Sequence, residues 1–233
     1  MLKLDGLQYS YDEQLFDFSL EARAGEVLAI IGPSGAGKST LLQLVGGFLP
    51  AVKGSIQVDG MDIAHLTAAQ RPVSTIFQEH NLFPHLDVFS NVALGIHPGL
   101  KLDALQKQRV MESLERCYIA EYSKRLPGEL SGGQRQRVSI ARVLARRRPV
   151  LLLDEALTAL GPALRQEILQ LIGEVVATEA MTALMVSHYP EDARLVSRRL
   201  AFLDDGRIQE VVNTDQLSGD TLSPTMRAYL GKS

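Results

Sequence analysis

Gly32-Pro33-Ser34-Gly35-Ala36-Gly37-Lys38-Ser39 decides how this chain is read. An apolar run, Glu26 to Ile31, leads into it with the length of a buried strand, and Ser39 to Gly47 leads out of it with helical spacing. The octapeptide is therefore predicted as a strand-to-helix loop, and it fits the pattern G-x-x-x-x-G-K-[ST]. Glycines at these positions let backbone N–H groups turn inward around an anion, and the positive end of the following helix points at the same place. Lys38 can then reach β- and γ-phosphates, the Ser39 hydroxyl is placed for Mg2+, and Thr40 adds an α-phosphate contact.

A second apolar strand, Pro149 to Leu153, ends in Asp154-Glu155. Acids at the C-terminal end of a buried strand gather where ligands of open α/β sheets bind. Asp154 is expected to orient Mg2+ and Glu155 to polarise an attacking water as general base. A second glycine turn, Leu130-Ser131-Gly132-Gly133-Gln134, opens a helix expected to begin near Arg135, with Ser131 as its cap and the glycine N–H groups at its positive end.

Around these segments strand and helix patterns alternate, as in an α/β domain. Phe16, Phe18 and Leu20 alternate with polar residues. Ser55 to Val58 is a short strand before an Asp59-Gly60 turn, and Val73 to Phe77 is another strand. Helices are expected over Pro162 to Thr178 and Pro190 to Arg199, a strand over Thr182 to Ser187, and a last hairpin turning at Asp204-Asp205-Gly206. From His80 to Pro127 strand patterns vanish and helical spacing takes over (Leu102, Leu105, Val110, Leu114). This predicts one domain: a core of residues 1–79 and 136–233, an antiparallel β portion at its N-terminus, and a helical insertion at about residues 80–135.

The composition excludes several other classes. The chain has 233 residues and one cysteine, Cys117, so an internal disulfide is impossible, which suits a reducing compartment. The net charge of −3 argues against a protein whose main task is to grip nucleic acid. No apolar stretch approaches the roughly 18 residues of a spanning helix, and the N-terminus lacks a signal-peptide pattern. His65, His80, His85 and His97 show no metal-ligand spacing, and Arg146-Arg147-Arg148 reads as a complement to a helix C-terminus.

Taken together, these motifs resemble the ATP-binding cassette ATPases of membrane transporters over essentially the whole chain. The resemblance implies the P-loop NTPase fold of that family, with ATP and Mg2+ as its cofactors. Gly32 to Ser39 matches Walker A, Leu151 to Glu155 Walker B and Leu130 to Gln134 the signature. Gln78 matches the Q-loop glutamine, placed as a Mg2+ ligand and a link to a membrane subunit; His188 matches the switch histidine and Tyr11 the aromatic that stacks on adenine. Each motif occurs once, so the family pattern implies a homodimer with Ser131, Gly132, Gly133 and Gln134 gripping the nucleotide of the opposite copy. It further implies integral-membrane permease subunits, a periplasmic solute-binding protein met only indirectly, no nucleic acid, and a peripheral place on the cytoplasmic face of the bacterial inner membrane.

A finer resemblance, to the subunits that energise thiamine import, rests on Arg71 to Ser74, Phe77 to Glu79, Asn81 to Phe83, Pro98 to Leu102 and Arg125 to Leu130. It is expected to extend to thiamine's phosphate esters. The sequence also stops soon after the last hairpin, without the extra β domain usual in sulfate, iron, polyamine and sugar importers. Importers of another small solute, a cassette ATPase acting outside transport, and a regulatory subunit with little hydrolysis are the competing readings. Two positions depart from the pattern. Ala156 stands where the family usually has Pro, and Thr158-Ala159-Leu160-Gly161 lacks the aspartate that ends the D-loop. Gly161 implies weaker coupling between sites, or slower hydrolysis.

Overall fold

The structure is a computed structural model that describes residues 1–12, 14–77, 81–218 and 222–231. In chain order the strands are β1 (Leu2–Tyr11), β2 (Gln14–Ala22), β3 (Val27–Ile31), β4 (Lys53–Val58), β5 (Met61–Asp62), β6 (Val73–Ile76), β7 (Val150–Asp154), β8 (Thr182–Val186), β9 (Arg199–Asp204) and β10 (Arg207–Asn213). The helices are α1 (Lys38–Gly46), α2 (Val88–Ala93), α3 (Ala104–Arg116), α4 (Gly132–Arg146), α5 (Pro162–Thr178), α6 (Pro190–Val196) and α7 (Pro224–Tyr229).

The ten strands of the described residues form one sheet in the order β5-β4-β1-β2-β10-β9-β3-β8-β7-β6. The half from β9 to β6 is parallel, and β5, β4, β1 and β2 pair antiparallel beyond it. The antiparallel N-terminal portion expected from the sequence is thus a wing of the same sheet. Continuous apolar runs follow from burial on both faces. Along β3, Val27, Ala29 and Ile31 pack into the cluster under α2 to α6, while Leu28 and Ile30 pack into the cluster around α1 and the wing.

The region predicted to be helical carries α2 and α3, both packed on α4. Asp87 caps α2 by accepting from Ser90 N–H, and Asp103 forms a reciprocal capping box with Gln106, which explains where each helix starts. Arg142 anchors the group: its guanidinium donates to the Asn91 and Asn81 carbonyls and to the Asn91 side chain.

Two expected boundaries shift. α4 begins at Gly132, not near Arg135, because Ser131 and Gln134 close a full capping box that draws both glycines into the first turn. α6 stops at Val196 instead of reaching Arg199. Ser197 is extended there, and Arg199 is drawn into β9, where it reaches Glu26 at 3.1 Å across the sheet.

The far end of α1 is fixed by a buried cation. Arg71 donates to the carbonyls of Leu44 (2.5 Å) and Val45 (2.9 Å) in the last turn of the helix, and to Ala64 and Leu66. The helix that carries the phosphate loop is thereby held at both ends.

Candidate active site

The loop between β3 and α1 adopts a backbone that only glycine permits at its first position. Gly32 has φ +156°, and a Cβ there would stand 1.9 Å from the Leu203 carbonyl oxygen. Gly37, at φ +110°, caps α1 against the Phe16 ring. The β9–β10 turn braces the loop from beneath, Gly206 N–H donating to the Ala36 carbonyl at 3.0 Å and its own carbonyl accepting from Asp17 N–H at 2.9 Å.

Lys38 is buried and donates to the Gly32 and Pro33 carbonyls at 2.8 and 2.7 Å. Burial holds its ammonium below the usual lysine range, partly offset by the negative charges of Glu155 and Asp154. Those acids stand at the end of β7, as expected. Ser39 Oγ donates to Asp154 Oδ1 at 3.2 Å. Burial raises the Asp154 carboxyl above its ordinary value; the Ser39 hydrogen bond and Lys38 oppose the rise, and Glu155 adds to it.

Glu155 has φ +48°, an uncommon conformation for a side-chain-bearing residue, which turns the chain sharply off β7. His188, just beyond β8, brings Nε2 to 2.6 Å from Glu155 Oε1. Lys38, Ser39, Asp154, Glu155 and His188 therefore form one contiguous group, although the last three lie more than a hundred residues from the loop in sequence.

The other expected residues stand apart. Ser131 Oγ accepts from Gln134 N–H at 3.2 Å, and Gln134 Oε1 accepts from Ser131 N–H at 2.8 Å, so the signature turn is bonded within itself. Gly133 is buried where a Cβ would meet Leu164 of α5 at 2.6 Å. Tyr11 is exposed at the tip of the β1–β2 hairpin. Gln78 lies outside the described residues. Tyr229 of α7 is an addition: burial pushes its phenol up, and the Gly32 backbone beside it lowers it in part. No local sequence signal marks that contact, since nearly two hundred residues separate the partners.

Among the described residues no group of His, Cys, Asp and Glu has the makings of a resident metal site, and no helix is long and apolar enough to cross a membrane.

Comparison with known proteins agrees with this geometry. Residues 15–158 match the ABC transporter family. The chain is 46% identical over 230 residues, 99% of its length and 98% of the relative's, to the thiamine import ATP-binding protein ThiQ of Vibrio parahaemolyticus. It is 47% identical over 232 residues to the protein of the same name from Escherichia coli, covering 99% of this chain and all of that one. Among solved structures it superposes on the dimeric ATP-binding cassette MJ0796, in a post-hydrolysis state bound to ADP and Pi, with a TM-score of 0.77 and 28% identity over 92% of this chain and 99% of that one. A phosphate loop facing two strand-end carboxylates, on a fold shared with such a cassette and in a sequence matched over this length, has one explanation: the chain belongs to the ABC transporter family, as its ATPase subunit.

Proposed function

We propose that this chain is the motor of a bacterial thiamine importer, which also serves thiamine's phosphate esters, and that it hydrolyses Mg2+-ATP between two copies of itself. The observation that carries the hydrolytic reading is the unbroken run Ser39–Asp154–Glu155–His188 beside Lys38. The cargo reading is supported by near-full-length relatives named for thiamine import.

In this reading the backbone N–H groups of residues 32 and 34–40 cradle the phosphates, and Tyr11 stacks on the adenine. Lys38 exchanges its two carbonyl partners for phosphate oxygens. Glu155 takes the proton of the attacking water, and His188 holds that carboxylate in place. Ser39 Oγ and Asp154 Oδ1 are hard oxygen donors at the mouth of the loop, a set that suits Mg2+, with Gln78 as a further ligand. The ion, when bound, neutralises charge on the β- and γ-phosphates. Ser131, Gly132, Gly133 and Gln134 serve the nucleotide of the opposite copy. Residues 80–135 act as a helical unit that, with Gln78, passes closure of the pair to membrane permease subunits. The site is then peripheral to the membrane, on its cytoplasmic face, and the solute-binding protein is met only through the permease.

Uptake of labelled thiamine tests this in cells lacking the chain, complemented with wild type or Lys38→Ala, with sulfate, iron and polyamine run in parallel. Thiamine uptake restored by wild type alone is expected. Unaltered thiamine uptake with loss of another solute would overturn the cargo and keep the motor.

A further inference from the structure

Behind Glu155 the chain closes a ring of contacts that the functional assignment leaves unused. Thr158 Oγ1 donates to the Glu155 carbonyl at 2.9 Å, at the start of the turn that leads to Gly161. At the end of that turn the Leu160 carbonyl accepts from Arg165 Nη2 at 3.4 Å. The same guanidinium lies over the Tyr189 ring, 4.1 Å from its centroid, and its Nη1 stands 3.8 Å from Asp192 Oδ1. Asp192 is buried, and its other oxygen accepts from Ser187 Oγ at 2.7 Å. Ser187 Oγ in turn accepts from Tyr189 N–H at 3.0 Å. His188, fixed between those two residues, closes the ring on Glu155. Glu155, Thr158, Ser187 and Asp192 line a single crevice of about 10 Å3, room for no more than one water.

We infer that Arg165 and Asp192 are positioning residues for ATP hydrolysis: together they set the angle at which His188 meets Glu155, and they do so within one copy of the chain. Three properties support this. The guanidinium is planar and offers donors in a fixed fork, so one side chain can hold a carbonyl, face a carboxylate and stack on a ring at once. Both partners are shielded from water, with Arg165 14% and Asp192 10% exposed at the side chain, so their attraction is screened little. The turn they brace ends in Gly161, which has no side chain to make a tie of its own, and Arg165 supplies a side-chain tie at that end.

The inference rests on the proposed hydrolytic role of Glu155 and His188, and the test separates the two. Arg165→Ala and Asp192→Asn are compared with wild type for ATP turnover, KM, ATP affinity by calorimetry and thermal melting. Asp192→Asn keeps an acceptor for Ser187 while removing the charge, so it remains informative if Arg165→Ala folds poorly. The expected result is a fall in kcat of about tenfold to a hundredfold, as for a misplaced catalytic group. KM and ATP affinity stay within about twofold. The double variant is no worse than the poorer single one, because the two act as a unit. Arg165→Lys restores part of the rate. The ring resonances of His188, followed by NMR, are displaced in both single variants, a readout that needs no turnover. Variants that melt lower yet keep wild-type kcat, or an unmoved His188 signal, overturn the inference. A wild-type chain that hydrolyses no ATP would refute the proposed function, and the His188 signal would still decide the role of the pair.

Discussion

Replacing Gly161 with aspartate asks two questions of one position. Gly161 is the N-cap of α5, with φ −63° and ψ 157°, a conformation open to any residue, and a Cβ there would meet nothing within 4 Å. No side chain caps α5, so a carboxylate at 161 gains N–H partners in the first turn and faces the positive helix end. Relative to glycine the cap adds a few tenths of a kcal/mol, and the charge at the helix start about 0.3–1 kcal/mol. Loss of glycine's freedom in the unfolded chain adds about 0.4–1 kcal/mol. Together these stabilise by about 1–2 kcal/mol, a rise in Tm of about 2–8 °C for a chain of this size. Gly161→Asp is also expected to speed ATP hydrolysis by restoring a contact to the opposite copy. Gly161→Asn separates the effects, since asparagine caps as well as aspartate but carries no charge. Thermal melts and steady-state ATPase assays on all three proteins decide. A Tm that does not rise in either variant refutes the capping argument. An ATPase rate in Gly161→Asp equal to wild type refutes the reading of Gly161 as the cause of weaker coupling.

Two further outcomes follow from the same geometry. Gly32→Ala forces a Cβ onto the Leu203 carbonyl at a φ that L-residues rarely adopt. The expected cost is about 2–5 kcal/mol, a drop in Tm of about 4–20 °C by calorimetry, and a melt matching wild type would contradict the loop geometry. Burial raises the Asp154 carboxyl, so the folded chain holds that proton more tightly than the unfolded one. This contribution is present in acid and lost as pH rises through the folded-state pKa. Asp154→Asn, which relieves the buried charge, should melt higher than wild type near neutral pH. Its advantage should shrink as pH falls through the carboxylate range. Melts in buffers from about pH 4 to 8 check this, and a lower melt for the variant at neutral pH would refute it.

The phosphate loop was legible because its chemistry sits in eight contiguous residues between a strand and a helix, and local pattern reaches that far. Asp154 and Glu155 were legible for the same reason, at the end of an unbroken apolar strand. His188 was reached through family resemblance; nothing in its own surroundings announces a partner 33 positions earlier. Arg165 and Asp192 were invisible, since their pairing depends on α5 and α6 lying side by side. The start of α4 was misplaced by treating Gly132 and Gly133 as turn residues, when the reciprocal bonds of Ser131 and Gln134 outweigh glycine's weak helix propensity. The end of α6 was misplaced because Arg199 suits a helix locally, and only its distant partner Glu26 places it in a strand.

The place of β3 in the sheet bears on how the protein comes into being. Its neighbours are β8 on one side and β9 on the other, and the turn beneath the phosphate loop is made by Gly206. While the ribosome is still copying residues up to about 180, the strand that feeds the loop has no partner on either edge. Its apolar side chains then have no finished sheet to join. Such distant pairings form late and slowly, and they leave an unpaired edge open to wrong neighbours in the interval. ATP therefore cannot assist the early stages of folding, because the cradle that would hold it is completed only after Gly206 has been made.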